Sequence, residues 1–413
     1  MNNIKNERNM ILLLFGRTIS MFGSTMFLII LPLHVLGLTG SLKSSGIFFA
    51  VVNIPAIICT PFFGVVVEKL NRKYIIVFCD FMTTLLYIIL FLSYNRKKSD
   101  IIILLIVSMI INLLSKIFEI SSKVIFTEIS TENTIEKYNG IRSFWDNGSA
   151  LIAPVLGTYL YEFLGFQRVL LIIALTYLLS AIQECFIIYK AKEKRIHEKG
   201  EKFSKQLLSG MQFVYKQKNI LYLFIIIMSL NFFIANNDEI INPGILIQKY
   251  NISDKYYGLS STSAVFGSLI AGLFIFKNKI IDLKSHLKGL FIANSFFMII
   301  TAVLSITLYS FSNKVFFCFF IILQFFIGMI TTCINVPLGS YLQTKVPLKF
   351  QGRFFALLSF FSSLFVPMGI SYSGYLSLHI QADNTYIINN ICVILIVVVL
   401  FSGNKIGILD SNK

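Results

Sequence analysis

The chain has 413 residues, of which 56% are hydrophobic and 14% charged, and it carries a formal net charge of +16. Soluble domains use roughly 25% charged residues, so this composition excludes a water-soluble fold, which would have too little polar surface. Nor does the positive charge imply nucleic acid as a partner, because Lys and Arg sit in the breaks between apolar runs and form no compact basic domain.

A hydrocarbon core about 30 Å thick takes about 20 apolar residues per helix. Runs of that kind recur at 11–33, 44–66, 74–93, 101–120, 141–163, 168–189, 219–243, 257–276, 287–310, 314–338, 354–378 and 386–403. They predict an all-α membrane protein of twelve transmembrane helices in two six-helix halves, 1–190 and 219–413, joined by a basic linker, 191–218. The first run follows Lys5 and Arg8 and is too long for the apolar region of a signal peptide, so it is expected to be a retained span. Arg17 places a charge inside it.

After the second run come Gly64, Glu68, Lys69, Arg72 and Lys73, with Asp80 following in the third. Gly64 allows close helix approach, and an acid among three bases suits a charge network at a tight turn. The same residues also suit a solvated basic turn. The fourth span holds Lys116 and Glu119, three residues apart, and the fifth holds Arg142 and Asp146, four apart, so each pair can close on its own helix. Further along the fifth, Gly148, Ala153, Pro154 and Gly157 describe a helix that bends and packs closely, either as a working seal or as a plain packing kink. Glu184 lies near the end of the sixth.

The linker ends in Phe203, Leu207, Met211 and Tyr215 at four-residue spacing, with Lys205 between them and Lys216 just after, the pattern of an amphipathic helix on the bilayer surface. In the seventh span Asp238 and Glu239 have no basic residue within the span. They are the favoured proton carriers, ahead of Asp146 and Glu184, unless they only cap the outer end of the helix in water. Assigned alternately, the breaks put 27 Lys and Arg on the side of both termini and 8 on the other, although Arg96, Lys97 and Lys98 run against this locally. The bias predicts cytoplasmic termini in a multi-pass protein of the cell membrane. Gly64 with Lys69 after the second span is echoed by Gly272 with Lys277 after the eighth, a weak repeat of one half in the other.

The segment from Gly64 to Lys73 resembles the signature loop of the major facilitator superfamily, with Glu68 where an Asp is more usual. Four further stretches are similar to the superfamily's macrolide-efflux branch of drug and proton antiporters. These are Gly16 to Ser24, with Arg17 where a neutral polar residue is commoner, and Pro243 with Tyr257, Gly258, Gly267 and Gly272. The other two are Gln343 to Pro347 leading to Gly352 and Arg353, and the fifth-span motif, which lacks the second terminal Gly. The resemblance implies a secondary transporter working by alternating access. It also implies a cavity lined from spans one, four, seven and ten, where the polar residues are Ser20, Ser24, Asn112, Asn231, Gln324, Thr331 and Asn335. With 41 Phe around these few polar groups, the cavity suits a bulky amphiphile better than a sugar or phosphate.

The expected function is proton-coupled export of a hydrophobic or amphiphilic small molecule, such as an antibiotic or peptide-like metabolite, by a monomer with no cofactor. An importer or facilitator of a small metabolite, or a membrane sensor without transport, is the alternative. An enzyme is disfavoured, because the four His are scattered and no hydrolase, metalloprotease or nucleotide-binding motif accompanies them. The six Cys all fall in apolar runs without metal-ligand spacing.

Overall fold

A computed structural model describes residues 2–39, 42–93, 100–131, 134–188, 203–235, 237, 241–252, 254–277, 286–309 and 313–401. Its α-helices are α1 (Asn2–Thr39), α2 (Leu42–Lys69), α3 (Arg72–Ser93), α4 (Asp100–Ile129), α5 (Ile135–Cys185), α6 (Phe203–Lys216) and α7 (Lys218–Phe233). After a π-helical turn at Gly244–Lys249 follow α8 (Asp254–Lys277), α9 (Leu287–Thr307), α10 (Asn313–Lys345), α11 (Leu348–His379) and α12 (Ala382–Phe401). Ten helices are long and apolar enough to cross a bilayer, and α7, which turns by 104° from α6 at their break, adds an eleventh crossing when the pair is taken together. One of the ten, α5, is itself two spans, because Gly165 (φ 78°, ψ 162°) breaks it. The twelve expected crossings are therefore present, the fifth and sixth being the two arms of α5.

Gly165 holds a backbone conformation that L side chains rarely adopt, yet a Cβ there would meet nothing within 4 Å. Gly165→Ala should therefore cost only backbone energy, about 1–3 kcal/mol. The expected result is a lower thermal midpoint in detergent with unchanged helical circular dichroism. An unchanged midpoint would show that the two arms can be rejoined without the break.

Several helix ends differ from the hydropathy reading, and three of them bear on the sites below. α4 runs on to Ile129 and α10 to Lys345, beyond their apolar runs. The added turns of α4 are polar but paired: Lys123 Nζ donates to Glu119 at 2.6 Å, and Glu128 accepts from Arg72 at 2.6 Å. α7 ends at Phe233, ahead of the expected limit at 243, and beyond it Asn237 and Ile241 are π-helical, as is the turn at Gly244–Lys249 that follows Pro243. Pro243 has no backbone N–H to continue a helix, and Asn side chains compete for backbone groups. Asn237 bonds instead to the Met298 sulfur at 3.5 Å. In α6, Met211 and Tyr215 are exposed, while the side chains of Phe203, Lys205 and Leu207 lie outside the described set.

The chain forms two compact units. The first comprises Met1–Glu132, Gly148–Met211 and Val346–Phe360, so the opening turns of α11 belong with α1 to α4. Its apolar core gathers Met26, Ile30, Tyr87, Leu104, Ile173 and Tyr177. The second comprises Asn133–Asn147, Gln212–Lys345 and Phe361–Lys413, around Ile245, Leu246, Tyr250, Phe316, Phe320 and Tyr386. Tyr250 stacks on Phe316 with centroids 4.0 Å apart. Large apolar side chains such as Leu28, Phe78, Leu92, Ile102 and Val155 are exposed, the pattern of helices that face lipid rather than water.

Candidate functional site

The end of α2 meets the start of α11. A Cβ on Gly64 would lie 2.7 Å from the Gly352 carbonyl oxygen, and one on Gly352 would lie 2.6 Å from that of Gly64, so the two backbones touch where neither has a side chain. This contact sets Glu68, 4% exposed, against Arg353. Arg353 donates from Nε to Glu68 Oε2 at 2.7 Å and from its backbone N–H to Oε1 at 3.0 Å. Its guanidinium also bonds to Ser209 and packs 5.0 Å from the Phe350 ring. Two stretches that the sequence offered separately, Gly64 with Glu68 and Pro347 with Gly352 and Arg353, thus form one contact.

The remaining signature residues turn elsewhere. Arg72 pairs with Glu128 of α4 at 2.6 Å, both side chains 3% exposed, and Lys73 donates to the Cys185 carbonyl at 2.8 Å. Lys69 is exposed. Asp80 stands apart from this group, because eight residues of helix carry it about 12 Å along α3 from Arg72. Glu128 was missed by sequence reasoning, which ended the fourth span before it.

Asp80 instead lines a cavity of about 310 Å³ inside the first unit, with Arg17, Ser20 and Ser24 from α1, Glu119 from α4 and Tyr177 from the second arm of α5. Glu119 accepts from Lys123 and lies 3.5 Å from Lys116. Glu184 is fully buried beside this site, with α1 passing over it at Gly16. Asn112 does not line the cavity and bonds to Asn53 at 2.9 Å. Of the fifth-span motif, Ala153 is fully buried, Gly157 packs on Met26 of α1, Pro154 is half-buried within the helix, and Gly148 is partly exposed.

In the second unit Arg142 lies 3.5 Å from Asp146 on the same helix. Asn231 bonds to the Ile227 carbonyl and to Ser362, and Thr331 to Asn294. Gln324 is buried with its Nε2 unpartnered among the described residues, and Asn335 is exposed. Asp238 and Glu239 lie outside the described residues. A polar cluster not anticipated from sequence joins Lys249 of the π-helical turn to Asp383, which is fully buried at the start of α12. Ser305 of α9 donates to Asp383 at 2.6 Å and accepts from Lys249 through its carbonyl at 2.9 Å. A cavity of about 650 Å³ opens beside the pair, walled in part by Tyr309, Gln248 and Gln381. The available signal was an acid in the first turn of an apolar helix, a position that the helix dipole favours.

The family model of the Major Facilitator Superfamily matches residues 13–369. Macrolide efflux protein A of Streptococcus pyogenes is 20% identical over 402 residues, covering 96% of both chains. The MFS-type transporter YfiS of Bacillus subtilis (strain 168) is 22% identical over 425 residues, covering 99% of this chain and 98% of that one. Among solved structures, a bacterial homologue of the iron transporter ferroportin in an outward-facing state aligns with a TM-score of 0.73 at 16% identity, over 94% of this chain and 98% of that one. The transporter FucP in its outward conformation aligns with a TM-score of 0.73 at 13% identity, over 94% and 97%.

Proposed function

The chain belongs to the Major Facilitator Superfamily, and from that premise we propose that it is a proton-driven exporter of a hydrophobic or amphiphilic small molecule. The observation that carries the reading is the contact of α2 with α11. A charge pair seated on two touching glycine backbones makes a close contact without a covalent link, one that can part when the pair is broken. Such a contact suits a gate that closes and reopens as the halves 1–190 and 219–413 exchange access. The likeness to macrolide efflux protein A supports export and an amphiphilic substrate. The first-unit cavity sets Met21, Leu114 and Phe118 beside polar groups that include Arg17, Ser20, Asp80 and Glu119.

The reading further takes the protein as a monomer of the cell membrane with both termini cytoplasmic, on the bias of 27 basic residues to 8. It makes the α2–α11 contact an inner gate, with 191–218 as a surface-bound linker. Protons are carried by membrane-embedded acids, for which the sequence offers Asp238, Glu239, Asp146 and Glu184. Asp146 is the weaker choice, since Arg142 lies beside it.

Accumulation of ethidium, a fluorescent amphiphilic cation, in cells with and without the protein tests the reading. Export lowers accumulation, and the protonophore-treated cell loses the difference. Higher accumulation would make the protein an importer, and no difference across a panel of neutral and cationic amphiphiles would exclude this substrate class.

A further inference from the structure

Two acids of the first unit have no place in the gate. Glu184, on the second arm of α5, is 0% exposed, and neither of its carboxyl oxygens has a hydrogen-bond partner among the described residues. Asp80, on α3, is 2% exposed, and its Oδ2 is likewise unpartnered. The two are close enough to interact electrostatically, and Asp80 alone of them reaches the cavity wall. We propose that Asp80 and Glu184 together form the proton-binding site of this transporter, filled and emptied from the cavity through Asp80.

The surroundings explain why this pair suits a proton. Two neighbouring carboxylates buried without a counter-charge repel each other and lack solvation, a state that proteins avoid by pairing the charge or by leaving a proton on one group. The nearby bases of α3 are engaged elsewhere, Arg72 with Glu128 and Lys73 with the Cys185 carbonyl. From α1 the site faces Arg17 and Ser20. From α4 it faces Glu119, which is itself paired with Lys116 and Lys123. From the second arm of α5 come Tyr177, Ser180 and Cys185, and from α3 Cys79. Arg17 is the positive group among the residues lining the cavity that Asp80 reaches. The step is a plain proton transfer. Asp80 releases H⁺ to cavity water and becomes a carboxylate, and re-protonation from the opposite side of the membrane restores the neutral acid.

This inference rests on the proton-driven reading above, and its test separates the two. Infrared spectra of the purified full chain, taken between about pH 5 and pH 9, read the protonated-carboxyl stretch directly. Asp80→Asn, Glu184→Gln and the double variant keep side-chain size, and each single substitution should reduce that band. In inside-out vesicles energised by a pH gradient, each should reduce uphill ethidium transport at least tenfold, while downhill ethidium exchange persists and reports a folded carrier. A band untouched by both substitutions overturns the site, and so does full gradient-driven transport in the double variant. Wild-type transport that ignores a collapsed gradient overturns the proton-driven reading and the coupling role with it. That failure shows in the wild-type control, which stays intact if only the site is wrong.

Discussion

Arg353→Ala is expected to abolish ethidium export while leaving the chain inserted in the membrane. The substitution strips the counter-charge from Glu68, whose side chain is 3% exposed, and removes both the bond to Ser209 and the packing on Phe350. Breaking one partner out of a buried pair costs about 3–5 kcal/mol, because the other charge is left uncompensated. At about 1.4 kcal/mol per tenfold, the closed contact would lose about two to three and a half orders of magnitude in population. Glu68→Ala should be nearly as severe, and the double substitution less severe than either single one, since it leaves no orphaned charge. Transport at the wild-type level in both single variants would reduce the contact to a feature of topology.

A second large effect is expected in the other unit. Among the described residues, Asp383→Ala leaves the Lys249 ammonium, a side chain 19% exposed, with the Ser305 carbonyl and hydroxyl as its hydrogen-bond acceptors. The loss is again about 3–5 kcal/mol, and the thermal midpoint in detergent should fall by several degrees. Because Lys249 and Tyr250 both bond to Ser305, the loss should also loosen the turn that follows Pro243, seen as faster hydrogen exchange over 244–250. Lys249→Met with Asp383→Leu should recover most of the midpoint, since an apolar pair carries no desolvation cost. A midpoint unchanged by Asp383→Ala would show that the pair stabilises nothing.

These two clusters mark what the sequence could and could not yield. The spans were legible because hydropathy is a local property, and even the break at Gly165 showed as the gap between the fifth and sixth runs. The far end of α4 was not, since Lys123 and Glu128 look like loop residues until their partners on α4 and α3 are known. Glu68 and Arg353 were each legible as part of a motif, but no local pattern says that residues 285 apart in the chain share a bond. The same reason hid Asp80 and Glu184 as a pair: Asp80 read as part of the charged loop after the second span and Glu184 as a lone acid near the end of the sixth, and only the packing of α3 against the second arm of α5 makes them neighbours. Lys249 read as one more basic residue outside the spans, because its carboxylate lies 134 residues away.

The proposed gate requires the α2–α11 contact to open and close during transport. Spin labels at Leu70 and Lys349, both exposed beside the Glu68–Arg353 pair, report that separation in a variant whose six native cysteines are replaced. In lipid vesicles a short-distance population is expected that gives way to a longer one as ethidium and the proton gradient are applied, and that is nearly emptied by Glu68→Ala. A single distance that stays the same under a gradient, with substrate and in Glu68→Ala would contradict it.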